Sequence, residues 1–245
     1  EYVIIGHSER RQYFSETDYP FPKPLIEFNG KTMIEHIIDN FSSIQKEKQF
    51  IFIVNSEDCK KYHLDNVLNI LTNHTCKIIK LENETKGAAC SAMMAVEYID
   101  NDTPLILSNA DQLFDMCLDE VIKSFGNSDA GVITFESIHP RWSYVRLDKQ
   151  NKVTETSEKR PISKSAIAGF YYFKNGSDFI SSSSKMIKKD ASINGLYYIA
   201  PTLNEMVLEN KTISIFQIEN SIYHTFYTPQ KIKEYERKRI NDFKK

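Results

Sequence analysis

Residues 21–34 read Phe21-Pro22-Lys23-Pro24-Leu25-Ile26-Glu27-Phe28-Asn29-Gly30-Lys31-Thr32-Met33-Ile34. Proline fixes φ, so Pro22 and Pro24 clamp the backbone on both sides of Lys23. The result is a positive charge on a stiff strap. Residues 25–28 are expected to form a short strand, and Asn29-Gly30 supplies a turn. Thr32 can cap a helix over residues 33–41, where Ile34, Ile37, Ile38 and Phe41 keep helical spacing.

Outward from this strap the pattern is strand, loop, helix, repeated. Apolar, β-branched runs predict strands over residues 2–5, 50–54, 76–81, 105–108 and 131–135. An amphipathic stretch predicts a helix over 60–71, a small-residue stretch predicts another over 88–99, and 118–125 reads as helical. The second half reads differently: 144–147, 153–155 and 167–173 form an antiparallel set. Helices over 177–188 and 201–208 follow, then a strand over 213–218. Alternating β and α units imply an α/β fold, a single Rossmann-like domain spanning residues 1–245, with a mixed, mostly parallel sheet flanked by helices. Ligands of such sheets sit beyond the C-terminal ends of the strands. The segments to search are therefore 6–23, 82–87 and 109–114.

Composition narrows the function classes. The 245 residues are 41% hydrophobic and 26% charged, values of a globular chain that can build its own core. With 31 basic and 33 acidic residues the net charge is -2, which argues against a nucleic-acid binder. No apolar run approaches the roughly 20 residues of a membrane span. The four cysteines, at 59, 76, 90 and 117, lack C-x-x-C spacing and read as thiols in a reducing compartment. No signal peptide is visible, so a cytoplasmic location is expected. The charged run over 231–245 reads as a solvated terminal helix, because acidic residues interleave with the basic ones.

Three further segments join the Pro22-Lys23-Pro24 strap. They are Glu84-Thr85-Lys86-Gly87-Ala88-Ala89, then Leu105-Ile106-Leu107-Ser108-Asn109-Ala110-Asp111-Gln112, then Glu158-Lys159-Arg160-Pro161 with Ala168-Gly169-Phe170-Tyr171. In this order and spacing the four segments resemble the motifs of the sugar-phosphate nucleotidyltransferases, over residues 19–230. The subgroup of capsular polysaccharide clusters is the nearest in pattern. The resemblance implies a GT-A-like fold and a reaction that joins an NTP to a sugar or polyol phosphate and releases pyrophosphate. It leaves CTP, dTTP and UTP open, with a lean to CTP, and it implies Mg²⁺ and a homodimer.

Residue chemistry fits that reaction. Bringing a phosphate oxygen to an α-phosphorus joins two anions, so catalysis is mostly positioning and charge neutralisation. Lys23 suits an anion at the reacting centre, and Asp111, at a strand end, suits Mg²⁺. Gly87 lets backbone approach a planar base, with Lys86 and Ala88 beside it. Glu158 and Lys159 fit sugar hydroxyls and a sugar phosphate. By resemblance, Trp142 and Gly169 border the same sugar pocket. The other readings are a non-catalytic nucleotide or sugar-phosphate binder on this fold and a GT-A glycosyltransferase. The Pro22-Lys23-Pro24 strap is unexpected in the latter.

Two places depart from the family pattern. Its first loop is Gly-rich, to cradle a triphosphate, with an arginine for pyrophosphate. Here Gly6-His7-Ser8-Glu9-Arg10-Arg11-Gln12-Tyr13-Phe14 keeps one glycine, Gly6, and offers Arg10 and Arg11 as the basic residues. Residues 1–18 instead resemble the triosephosphate isomerase segment that carries its electrophilic histidine, here His7. The rest of an isomerase barrel is not found in residues 19–245, so isomerase activity is not expected. Late in the chain the family's second metal aspartate is missing: Phe226-Tyr227 precedes Thr228-Pro229, and neither Asp111 nor Glu205 is an obvious substitute.

Overall fold

The computed structural model describes residues 2–6, 14 and 19–242. Its spine is the strand β1 (Tyr2–Gly6). The strap follows as a 3-10 turn over Lys23–Leu25, not the start of the expected strand. The Leu25 N–H donates to the Pro22 carbonyl at 2.8 Å and the Ile26 N–H to that of Lys23 at 3.2 Å. Of the expected strand only β2 (Glu27–Phe28) pairs, in a minimal hairpin with β3 (Lys31–Thr32) across Asn29-Gly30, both at positive φ. The Thr32 hydroxyl caps α1 (Met33–Phe41) by accepting from the Glu35 N–H.

Next come β4 (Gln49–Asn55), α2 (Ser56–Tyr62), α3 (Leu64–Leu71), β5 (Lys77–Leu81), α4 (Ala88–Met93) and α5 (Val96–Ile99). Two helices expected as continuous are each broken. His63 adopts left-handed φ +53° between α2 and α3, and Met94-Ala95 separate α4 from α5. The central stretch is β6 (Leu105–Asn109), β7 (Gln112–Phe114), α6 (Leu118–Ser124) and β8 (Ala130–Glu136). Then follow β9 (Ser143–Leu147), β10 (Val153–Glu158), β11 (Ser165–Phe173), α7 (Gly176–Lys188) and α8 (Thr202–Leu208). The chain closes with β12 (Ile213–Ile218), β13 (Tyr223–Thr225) and α9 (Pro229–Asp242).

Among the described residues nine strands form one open, mixed sheet. β5, β4, β1 and β6 run parallel and adjacent, with β1 between β4 and β6. β11 then pairs antiparallel with β6 and β8, and β12 joins β8 in parallel. The edge of β11 is divided. Residues 170–173 pair with β6, whereas Ala166 and Ile167 pair with β9, which carries β10. Between them lies Gly169, at φ +63°. The edge strands of this open sheet remain apart; it is not a closed isomerase barrel.

Burial follows from strand periodicity. In β4 the side chains of Phe50, Phe52 and Val54 pack on one face and those of Ile51 and Ile53 on the other. A parallel strand covered on both faces reads as a continuous apolar run for this reason. The first face receives Met33, Ile34, Ile37 and Phe41 of α1 with Leu64 and Leu68 of α3. The second receives Ala92, Ala95 and Ile99, Phe179 of α7, and Leu203 and Met206 of α8. Each of the large side chains contributes about 1.5–3 kcal/mol on burial.

Candidate active site

The C-terminal ends of β1, β4 and β6 and the split beside β11 open into one cavity of about 440 Å³. This is where a parallel sheet leaves room for a ligand. Register places Gly6 beside both Ile53 and Asn109, so β1 ends two residues short of Asp111.

Lys23 and Asp111 meet here. The Lys23 side chain is 3% exposed and its ammonium pairs with the carboxylate of Asp111, whose side chain is 14% exposed. The 3-10 turn delivers the lysine. The turn after β6 delivers the aspartate, and its carbonyl is fixed by the Phe226 N–H at 2.8 Å. The Lys23 ammonium also lies 5.6 Å from the centre of the Phe14 ring.

Across the cavity, Gly87 precedes α4 at φ +105°. A Cβ there would lie 2.5 Å from the Tyr197 carbonyl oxygen and 2.8 Å from its nitrogen. The Tyr197 N–H donates to the Lys86 carbonyl at 2.7 Å, and the Ala89 N–H donates to the Tyr197 carbonyl at 3.1 Å. Close backbone approach at Gly87 is thus made by Tyr197 of the same chain. Gly87 and Ala88 line the cavity; Lys86 is exposed and is not among the lining residues.

The antiparallel end carries Glu158 and Lys159. Glu158 accepts from the Ser143 hydroxyl. Lys159, at φ +57°, bonds the Tyr198 hydroxyl, and its ammonium lies 4.5 Å from that ring's centre. Its N–H donates to the Trp142 carbonyl at 3.0 Å. Trp142 lines the cavity and packs edge-on to Phe135 at 5.2 Å, so it is both wall and loop anchor. Burial pushes the Tyr171 hydroxyl well above its usual range, and the Glu158 charge adds to this.

Gln112 ends the 105–112 segment, yet nothing in the local residues marks it as a hub. It is 3% exposed and satisfied on both sides. Its amide donates to the Gly169 carbonyl at 2.9 Å and the Ser108 hydroxyl at 3.3 Å. Its oxygen accepts from the Tyr223 hydroxyl at 3.1 Å and the Asn109 amide at 3.4 Å. It therefore ties the ends of β6 and β13 to the irregularity in β11. Burial pushes the Tyr223 hydroxyl well up, and the Asp111 charge reinforces the shift. Arg141, Tyr198, Tyr223 and Tyr227 also line this end. Their signal in the sequence was only a local richness in aromatic residues.

The structure brings Lys23, Gly87, Ala88, Asp111, Trp142, Glu158, Lys159 and Gly169 to one cavity. Arg10, Arg11 and His7 lie outside the described residues. Among the described residues no three His, Cys, Asp or Glu side chains gather to hold a metal. Asp111 is a single carboxylate beside open space, a donor set that fits Mg²⁺ carried mainly by substrate phosphates. Glu205 pairs with Lys189 at 2.7 Å and is not among the residues lining the cavity.

Known proteins resemble this chain over most of its length. The family model described as Nucleotidyl transferase matches residues 19–203. The chain is 28% identical over 175 residues to the bifunctional protein GlmU of Methanocaldococcus jannaschii, covering 70% of this chain and 38% of that protein. It therefore spans well under half the length of that relative. It is 24% identical over 208 residues to the UTP–glucose-1-phosphate uridylyltransferase AglF of Haloferax volcanii, covering 81% of this chain and 80% of that one. The crystal structure of a nucleoside-diphosphate-sugar pyrophosphorylase from Vibrio cholerae RC9 superposes with a TM-score of 0.82 at 23% identity, over 97% of this chain and 100% of that one. A second family model, Triosephosphate isomerase, matches residues 1–34, a longer stretch than the 18 residues of the resemblance.

Proposed function

Since the chain belongs to the nucleotidyl transferase family, we propose that it joins an NTP to a sugar or polyol phosphate and releases pyrophosphate. The observation that carries this reading is the buried Lys23 ammonium paired with Asp111 inside the cavity. An acceptor phosphate oxygen attacks the α-phosphorus; the bond to the β-phosphate oxygen breaks, and pyrophosphate leaves with the electron pair. Lys23 neutralises charge where the two anions meet. Asp111 would hold Mg²⁺, which supplies further neutralisation when bound. The Gly87-Ala88 turn takes the nucleotide; Glu158, Lys159, Trp142 and Gly169 take the acceptor. Arg10 and Arg11 supply positive charge to the triphosphate.

CTP, dTTP and UTP are the nucleotides proposed, and surface or capsular polysaccharide precursors the product class. The chain would work in the cytoplasm, as a homodimer. The test is pyrophosphate release with Mg²⁺, trying CTP, UTP, dTTP, ATP and GTP against a panel of sugar and polyol phosphates. Release that requires one NTP and one acceptor is expected. No release, together with no rise in melting temperature on adding any NTP, overturns the reading.

One observation favours a second reading. The nucleotidyl transferase match begins at residue 19, after the segment where a triphosphate loop is expected, and the isomerase match lies there. A chain that binds nucleotide or sugar phosphate without transfer would be stabilised by ligand and release no pyrophosphate.

A further inference from the structure

Among the described residues three cations line the cavity: Lys23, Lys159 and Arg141. Two are engaged, Lys23 by Asp111 and Lys159 by the Tyr198 hydroxyl. The Arg141 guanidinium forms no ion pair among the described residues. Its carbon lies 3.7 Å from the centre of the Tyr227 ring and 5.7 Å from that of Trp142. Aromatic faces hold a guanidinium flat and leave its edge, where the five N–H donors lie, free for a planar partner.

The backbone under Arg141 is fixed as well. Its N–H donates to His139 Nδ1 at 3.2 Å, and the His139 N–H donates to the Ser137 hydroxyl at 3.2 Å. The Tyr144 hydroxyl donates to the His139 carbonyl at 2.6 Å. This preorganisation lowers the entropy lost when an anion is held. Arg141 also stands at the antiparallel end, next to Trp142 in the chain. Asp111, Arg141 and Tyr223 all line this one cavity.

We propose that Arg141 is the anion anchor of the acceptor subsite, gripping the phosphate of the sugar or polyol phosphate through its fork. This rests on the transferase reading above. A phosphate held there is presented to the reacting centre by a group that Lys159, bonded to Tyr198, does not replace.

Trp142 is the single tryptophan of the chain and adjoins Arg141, so its fluorescence reports occupancy of this subsite. The full chain is titrated with inorganic phosphate, with glucose 1-phosphate and with CTP, as wild type, Arg141→Met and Arg141→Lys. Saturable changes with phosphate and glucose 1-phosphate are expected. Affinity for both should fall at least about tenfold in Arg141→Met, as for a lost charge-assisted bond, and recover in part in Arg141→Lys. CTP affinity should change less than twofold. A flat wild-type titration, or anion affinity in Arg141→Met within twofold of wild type, overturns the proposal. Wild-type pyrophosphate release, measured separately, shows whether the transferase reading itself stands.

Discussion

Lys23 and Asp111, 88 residues apart in the chain, neutralise each other at the cavity wall. Each reaches the other from a rigid support, a 3-10 turn and the turn after β6. Removing one partner of a buried pair leaves an uncompensated charge, which costs about 3 kcal/mol, whereas removing both can be nearly neutral. Asp111→Asn should be the worse single change, because the Lys23 ammonium is the deeper of the two. Lys23→Met/Asp111→Asn should be more stable than the sum of the single losses implies. Turnover should fall at least about hundredfold in every variant, as when a group that stabilises developing charge is lost. Urea denaturation and pyrophosphate release read both effects; additive stability losses would mean that the ion pair contributes nothing.

Gly87 is constrained twice, by φ +105° and by the Tyr197 backbone 2.5 Å from where a Cβ would stand. Gly195 is constrained once: its φ is +75°, but a Cβ there meets nothing within 4 Å. Gly195→Ala should therefore cost about 1 kcal/mol of backbone strain, and Gly87→Ala at least about 2 kcal/mol. The second change should also raise KM for the NTP, since the turn ahead of α4 must shift. Equal melting temperatures for the two variants would show that the Tyr197 contact adds no cost.

Much of this architecture is legible in the residues, and the exceptions have physical causes. The run Phe50–Val54 announces a strand buried on both faces, as found in β4. The helix breaks at His63 and at Met94-Ala95 are invisible to periodicity, because apolar spacing continues on either side. The pairing of β7 with β13 joins three-residue strands more than a hundred residues apart, too short to leave a pattern. Lys23 and Asp111 could each be named from local motifs, but their meeting depends on the β6–β1 register and on the fold of the strap. Gln112 lay hidden for the same reason: all its partners except Ser108 and Asn109 are distant in sequence. The Gly87 motif was legible, whereas the close backbone it admits, Tyr197, was not.

Asp129 gives the fold a pH dependence with a definite sign. Burial pushes its carboxyl up, but the Thr212 N–H at 2.8 Å and hydroxyl at 3.0 Å, with nearby Lys211, more than offset this and hold it below the usual value. A carboxyl depressed in the folded state stabilises above its unfolded pKa of about 3.9 and loses that contribution as pH falls through the folded value. These bonds join the starts of β8 and β12. Asp129→Asn should therefore lower the urea midpoint more at pH 7 than near pH 3. A gap that stays constant between those pH values would assign the loss to packing instead.

Gln112 should matter for catalysis without touching substrate phosphate. Its amide and oxygen are the contacts that hold the Gly169 carbonyl and the Tyr223 hydroxyl at the β6 end. Gln112→Leu keeps the volume but leaves both groups without that partner, at about 1–3 kcal/mol for each buried polar group. Gly169→Ala attacks the same junction sterically, since a Cβ would lie 2.3 Å from the Asn109 amide nitrogen and 2.6 Å from the Gln112 oxygen. Both changes should loosen the turn that carries Asp111, so kcat should fall while KM for the NTP stays within about twofold. The expected pattern is a lowered melting temperature with this kcat-against-KM split. A Gln112→Leu chain with unchanged kcat would show that the Phe226 N–H alone is enough to fix the Asp111 turn.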